Sequence, residues 1–131
     1  MQYARMYTAP DGETHFEHVT VDLPPVEAIP GHPPIGLSKA LPASAVRFCR
    51  LPPGWTSGVH QSPQGGFSVI LEGVLECTVS DGESRRFGPG EFVASDDVAG
   101  KGHRDLAIGD VLVMLVVMDP TATFSDPGDP G

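Results

Sequence analysis

Several things are scarce in this 131-residue chain, and each scarcity excludes something. Positive charge is short: 8 Lys and Arg stand against 17 Asp and Glu, a net charge of −9. The longest basic run is Arg85-Arg86. A chain with that balance and no basic patch is a poor ligand for nucleic acid or an anionic membrane. The expected partner is therefore a small molecule, with no nucleic acid and no membrane. Cysteine is limited to Cys49 and Cys77, without a CxxC pair, which excludes a zinc knuckle or dithiol redox motif. Both sit in apolar or alternating surroundings, so two reduced thiols are expected. Long apolar runs are missing as well. The longest, residues 111–118, is far too short to span a bilayer. The opening MQYARMYTAPDGE lacks the apolar core of a signal peptide, so a cytoplasmic protein is expected. No repeat of useful length and no long amphipathic helix pattern is present.

What the chain does have is turn chemistry: 16 glycines and 14 prolines beside a 40% hydrophobic share. That is enough apolar material for one core, and this length suits one domain. Proline costs about 3 kcal/mol inside a helix, so this density argues against a helix bundle. Short runs of alternating apolar and polar residues, separated by Gly and Pro, point instead to antiparallel strands. The expected strands are residues 3–7, 14–21, 45–51, 67–72, 74–79, 85–87, 91–94, 103–108 and 111–118. Turns are expected at Asp11-Gly12, Pro52-Pro53-Gly54, Gly73, Asp81-Gly82, Gly88-Pro89-Gly90 and Gly109-Asp110. Strands of this number and spacing suggest an all-β, antiparallel double-sheet jelly roll.

Three regions follow. Residues 1–43 hold two strands and a proline-rich crossing packed on the barrel, residues 44–118 the barrel itself, and residues 119–131 a flexible acidic tail. Residues 67–71 and 111–118 are apolar on both faces, whereas a sheet with one wet face should alternate. Both strands therefore need cover on two sides, and in so small a protein the second cover is another subunit. A homodimer is expected.

Among the five histidines, His32 lies in the proline-rich crossing and is expected to be solvated. His15 and His18, three apart on one strand, face opposite ways and are expected to be surface residues. His60 and His103 each stand beside turn residues at a strand edge, in Gly58-Val59-His60-Gln61-Ser62 and Gly100-Lys101-Gly102-His103-Arg104-Asp105. Such positions are where a rigid scaffold presents functional groups. Ser62 shares parity with His60 and Asp105 with His103, so Asp105 is placed to orient or charge-pair with His103. Trp55, the only tryptophan, is a candidate for the pocket mouth.

Pro53-Gly54, then His60, then Phe67-Ser68-Val69-Ile70-Leu71-Glu72-Gly73 resembles the first motif of the cupins. Phe87-Gly88-Pro89-Gly90-Glu91, followed by His103, resembles the second. The likeness runs over residues 45–118. Gly100-Lys101-Gly102-His103 and the opening Asp11-Gly12-Glu13-Thr14-His15-Phe16-Glu17 are similar to small stand-alone bacterial cupins without a settled general function. The resemblance implies a cupin-type β-barrel and, in its usual form, a metal held by three histidines and a glutamate. Here His60 matches the first histidine and His103 the last. Ser62 stands in place of the second histidine, Gly66 in place of the glutamate, and Ala107 near the place of an asparagine that often follows.

The departure has a physical consequence. Catalytic metal sites usually keep three protein ligands, and two imidazoles hold a divalent ion weakly. Gln64, Glu76 or Asp105 would have to complete the set, around Zn, Ni, Fe, Mn or Cu. The other use of the two histidines is metal-free, as general acid and base. Either way the expected function is a small-molecule enzyme working through His60 and His103 by isomerisation, cyclisation, decarboxylation or oxygenation. The alternatives are a non-catalytic small-ligand-binding module and a dimerisation protein with an inactive pocket.

Overall fold

The computed structural model describes residues 1–121 and Phe124. The remainder of the expected acidic tail lies outside the described residues. The described chain is all-β, without a helix: β1 (Gln2–Thr8), β2 (Thr14–Thr20), β3 (Pro25–Val26), β4 (Ile35–Gly36), β5 (Ala43–Leu51), β6 (Gly66–Val79), β7 (Ser84–Phe87), β8 (Phe92–Asp96) and β9 (His103–Met118). It therefore contains no helix long and apolar enough to cross a membrane. Seven strands form one continuous sheet in the order β2-β1-β8-β6-β9-β5, with β7 on β6; β3 and β4 make a separate two-stranded ribbon. Every pairing is antiparallel except β1 with β8, which is parallel.

The sheet is organised by its two long strands. The expected turns at Gly73 and Gly109 do not reverse the chain. Residues 66–79 form one strand and residues 103–118 another, paired along most of their length. Both glycines do hold the left-handed backbone that marked them as turn residues, with φ of 78° and 76°. A single such residue inside a ladder makes a bulge, which bends the strand and lets it continue. The register of β6 against β9 shifts at this point, between Ile70 and Glu72 and between Glu72 and Val74.

The bulge also changes which residues of β6 face inward. Before it Ile70 is buried in the inner core; after it Leu75, Cys77 and Val79 are. They pack with Met6, Phe87, Val93, Val111 and Val113. The other face has its own cluster of Tyr3, Val19, Val21, Ala94, Met118 and Phe124, with Phe67, Phe92 and Val116 half-buried against it. Phe67 packs edge-on to both Tyr3 and Phe124, at 5.2 and 5.1 Å between ring centres. The residues 67–71 and 111–118 thus contribute apolar side chains to both faces, as their pattern required. Cys49 and Cys77 are free thiols.

The proline-rich crossing, expected as an extended surface segment with little hydrogen bonding, is exposed throughout residues 22–37 and turns back on itself through the β3–β4 ribbon.

A methyl group at position 73 would run into the backbone carbonyl of Asp110, whereas position 109 faces open space. Gly73→Ala should therefore cost about 2–4 kcal/mol, combining left-handed strain with a backbone clash. Gly109→Ala should cost only the strain, about 1–2 kcal/mol. Urea unfolding of the two variants tests the difference, and equal losses would refute the close approach at Gly73.

Candidate functional site

Residues 55–60 run antiparallel beside β9, and this alignment positions the site. Trp55 pairs by backbone with Ala107, Thr56 bridges Leu106, Ser57 N–H donates to the Asp105 carbonyl, and His60 bridges His103. At the last step the two histidines exchange backbone hydrogen bonds, His60 N–H to His103 O at 2.8 Å and His103 N–H to His60 O at 2.9 Å. The closeness depends on Gly102, whose φ of 78° leaves the His60 carbonyl where a Cβ would otherwise sit. The two imidazole rings lie 4.6 Å apart, centre to centre.

Each ring is held by one nitrogen. His60 Nδ1 lies 3.1 Å from the Gly58 carbonyl. His103 Nδ1 lies 2.5 Å from Asp97 Oδ2. Both acceptors require a proton on Nδ1, which fixes the tautomer of a neutral ring. Each Nε2 is then turned toward a third group, Asp105: Oδ2 is 3.3 Å from His103 Nε2 and 4.0 Å from His60 Nε2. One donor atom from each of His60, His103 and Asp105 falls within 4.8 Å of the others. Two imidazoles and one carboxylate are a three-ligand set of the kind that holds a divalent ion while leaving a position for substrate. The carboxylate and carbonyl behind the two rings are the outer contacts that metal-binding histidines ordinarily make. The donor set fits a metal.

Asp97 was not apparent from sequence. It is fully buried, accepts a hydrogen bond from Ser62 Oγ at 2.7 Å, and its backbone carbonyl accepts from Ser62 N–H at 3.0 Å. Ser62, in the place of the second cupin histidine, is thus no ligand; it fixes the carboxylate that fixes His103. The one sequence signal was an Asp96-Asp97 pair between an apolar strand and a glycine turn, which reads as turn chemistry. Only the structure separates the two, sending Asp96 to Arg5 and Asp97 inward.

His60, Ser62, Gln64, His103 and Asp105 share a cavity of about 600 Å³, whose wall also includes Arg47. Trp55 and Glu76 are not part of its wall. Trp55 sits opposite Ala107, at the far end of the bridging segment from His103, with its ring partly exposed. Glu76 lies one residue out of phase with the inward Leu75 and Cys77 and pairs with Arg86 at 3.0 Å. The expectation placed Glu76 inward because the change of parity between Ile70 and Val74 cannot be seen in the sequence. Of the other histidines, His15 pairs with Asp81 at 2.7 Å, and His18 and His32 are exposed.

Burial works against charge on His103, but hydrogen bonds to Asp105 and Asp97 outweigh it and push its pKa from 6.5 up to about 9. Burial likewise opposes charge on Asp105, and the neighbouring His103 overcomes it and holds the carboxyl below its usual value. In the metal-free protein His103 is therefore an imidazolium between two carboxylates at neutral pH.

No protein-family model matches the chain, and no curated protein does. Solved structures similar to it include a conserved protein of unknown function from Streptococcus pyogenes, 28% identical with a TM-score of 0.48. That match covers 59% of this chain and 65% of the other, just under two thirds of its length. A double-stranded β-helix protein from Klebsiella pneumoniae is 19% identical with a TM-score of 0.49, over 79% of this chain and 86% of the other. A sugar phosphate isomerase of the cupin superfamily from Silicibacter pomeroyi is 18% identical with a TM-score of 0.47, over 91% and 71%. Several of the similar structures are cupin or double-stranded β-helix proteins, and enzymes are among them.

A folded-state pKa above the unfolded one stabilises the protein fully below the unfolded value, and that stabilisation is lost as pH rises through the folded value. Metal-stripped protein should therefore lose melting temperature between pH 6.5 and about 9. Asp97→Asn should lower the His103 midpoint by about one unit or more and flatten that slope. The ring's NMR titration and melting curves across this range check both. An unchanged midpoint in Asp97→Asn would show that the buried carboxylate does not set the charge of His103.

Proposed function

We propose that this chain is a cupin-type jelly roll that processes a small anionic molecule in the His60–His103 cavity, with a divalent transition metal held by His60, His103 and Asp105. One observation carries the reading: both Nδ1 atoms are engaged by fixed acceptors, and both Nε2 atoms are left facing one carboxylate. That donor set suits Zn, Ni, Fe, Mn or Cu better than a hard, oxygen-seeking ion. The metal would supply Lewis-acid polarisation of a substrate oxygen.

The chain's own residues have definable parts. Asp97 positions His103 and, as a carboxylate behind an imidazole, raises its basicity. Arg47 supports an anionic substrate. Arg50, three residues along β5, is taken up by Asp110 at 2.5 Å, whereas Arg47 lines the cavity and makes no ion pair among the described residues. Its planar fork suits a carboxylate or phosphate. Gln64 adds an amide that can donate or accept, and Phe67 and Leu115 narrow the wet part of the wall.

A metal-free reading rests on a different observation, the protonated His103 between Asp97 and Asp105. There the imidazolium gives a proton to substrate and His60 accepts one, which is isomerase or lyase chemistry.

Elemental analysis separates the two readings. Protein expressed in metal-supplemented medium should carry close to one equivalent of a transition metal. His60→Ala, His103→Ala and Asp105→Asn should each abolish it, and Asp97→Asn should weaken it about 10–100-fold. Less than about a tenth of an equivalent in the parent protein would sink the metal reading. Against a panel of small carboxylates and phosphate esters, Arg47→Gln should raise KM more than it lowers kcat. Tight binding of a panel member without turnover would instead leave a binding module.

A further inference from the structure

Two stretches of this sequence, residues 11–17 and Gly100-Lys101-Gly102, contribute nothing to the cavity wall. They nevertheless meet in space. The turn between β1 and β2 lies against residues 97–103, the segment that has Asp97 at one end and His103 at the other. Thr8 Oγ1 donates to the Ala99 carbonyl at 2.8 Å, and Lys101 N–H donates to the Gly12 carbonyl at 3.0 Å. The Lys101 ammonium donates to the Glu13 carboxylate. Glu13 is itself fixed from behind. Its Oε2 accepts from Ser80 Oγ at 2.7 Å, and that hydroxyl accepts from Thr14 N–H at 2.7 Å. Gly100 has a φ of 74°, and a methyl group there would come within 2.6 Å of the Gly12 carbonyl oxygen.

The segment is gripped on its other side by the residues around His60. Gln61 Nε2 donates to the Gly100 carbonyl at 2.7 Å, and Ser62 N–H donates to the Asp97 carbonyl at 3.0 Å. Residues 97–102 belong to no strand, since β8 ends at Asp96 and β9 begins at His103. Their course is therefore set by these contacts and not by a ladder. That course decides how far Asp97 stands from His103, and so whether Asp97 Oδ2 reaches Nδ1 of the ring. An exposed ion pair such as Lys101 with Glu13 adds little to the stability of a fold. Selecting one course for a short segment without strand partners is a task for which a weak, directional contact is enough.

We propose that Glu13 and Lys101 are positioning residues of the His60–His103 site: together with Gly100 they seat residues 97–103 on the β1–β2 turn, and this seat sets the spacing of Asp97 and His103. The proposal rests on the reading of that cavity as the functional site, but on no particular ion or substrate. Both residues act through others, because neither lines the cavity. The working unit then extends beyond residues 45–118, which hold His60, Asp97, His103 and Asp105, to the hairpin at the start of the chain.

The test compares Gly100→Ala and Lys101→Met with two matched controls in the full chain. Gly82→Ala imposes the same left-handed strain, at a φ of 97°, where a methyl group meets open space. Arg86→Met breaks another exposed ion pair, that with Glu76. The first readout is hydrogen exchange of the His60 and His103 amides in metal-free protein, which reports the backbone pair between them. The second is the dissociation constant of Co(II), read from its absorption bands. Gly100→Ala should speed both amides about 10-fold or more and weaken Co(II) about 10–100-fold, as loss of an outer contact does. Lys101→Met, a surface change that spares the core, should move each readout about 5-fold. Lys101→Arg should restore both, and the two controls should leave both at the parent values. Equal effects in the controls, or unchanged amides in Gly100→Ala and Lys101→Met, would overturn the positioning role. A parent protein that binds no Co(II) but shows the amide differences would sink the metal reading and uphold the positioning role.

Discussion

The bulge at Gly73 is the constraint on which the rest of the structure depends. β6 must face the inner core with Ile70 on one side of the bend and with Leu75, Cys77 and Val79 on the other. A strand of unbroken period two cannot do both, since 70 and 75 differ by an odd number. Two register shifts between Ile70 and Val74 absorb the difference, one at Leu71 and one across Gly73. Gly73 brings the β6 backbone so close to Asp110 that no side chain fits between. From that follow the bend that lets β6 and β9 stay paired over most of their length, and the phase that puts Glu76 on the far side from the histidines. Where shifts of register decide inward and outward for half a strand, the composition of the strand cannot show it.

That explains how far the sequence was legible. Strand positions were, because Gly and Pro mark their ends and apolar alternation marks their middles. The class followed as all-β, with one parallel pair that no local signal announces. Continuity was not legible. A glycine with positive φ occurs both in a turn and in a bulge, and what separates them is whether the partner strand runs on. The site divides the same way. His60, His103, Ser62, Gln64 and Asp105 could be grouped, because strand-edge glycines and parity are local signals. Asp97, Arg47 and the displaced Trp55 could not. Asp97 reaches His103 across the five residues between them, Arg47 reaches the cavity from an edge strand, and Trp55 is carried away by the alignment of residues 55–60 on β9.

The triad of Asp97, His103 and Asp105 bears on function through its cost. A buried imidazolium between two carboxylates gives up hydration, and such arrangements seldom stabilise a fold better than an apolar substitute would. Here the arrangement is built with some care. A serine holds Asp97 at two points, and a glycine allows His103 to meet His60. Desolvation concentrated around one imidazole is what functional sites commonly show, and it supports the proposal that this site serves chemistry. A proton on Nε2 and the proposed metal ion would compete for one position, and either would leave the Asp97 hydrogen bond intact. The high affinity of His103 for a proton would therefore set a pH-dependent threshold for any metal.

β5 ties the two unpartnered features together. It is an edge strand joined only to β9, and its side chains alternate between two tasks: Arg47 faces the cavity, and Val46 and Phe48 face outward. An edge strand exposed on its outer face is the part of a sheet most free to move, since half its backbone groups and one set of side chains lack neighbours. Covering that face would restrict β5 and with it the position of Arg47, the one unpaired cation in the cavity wall among the described residues. The outer face and the cavity wall thus meet on one strand. A change on the outer face would therefore reach the cavity through the backbone shared by residues 46, 47 and 48, with no contact between the two surfaces required.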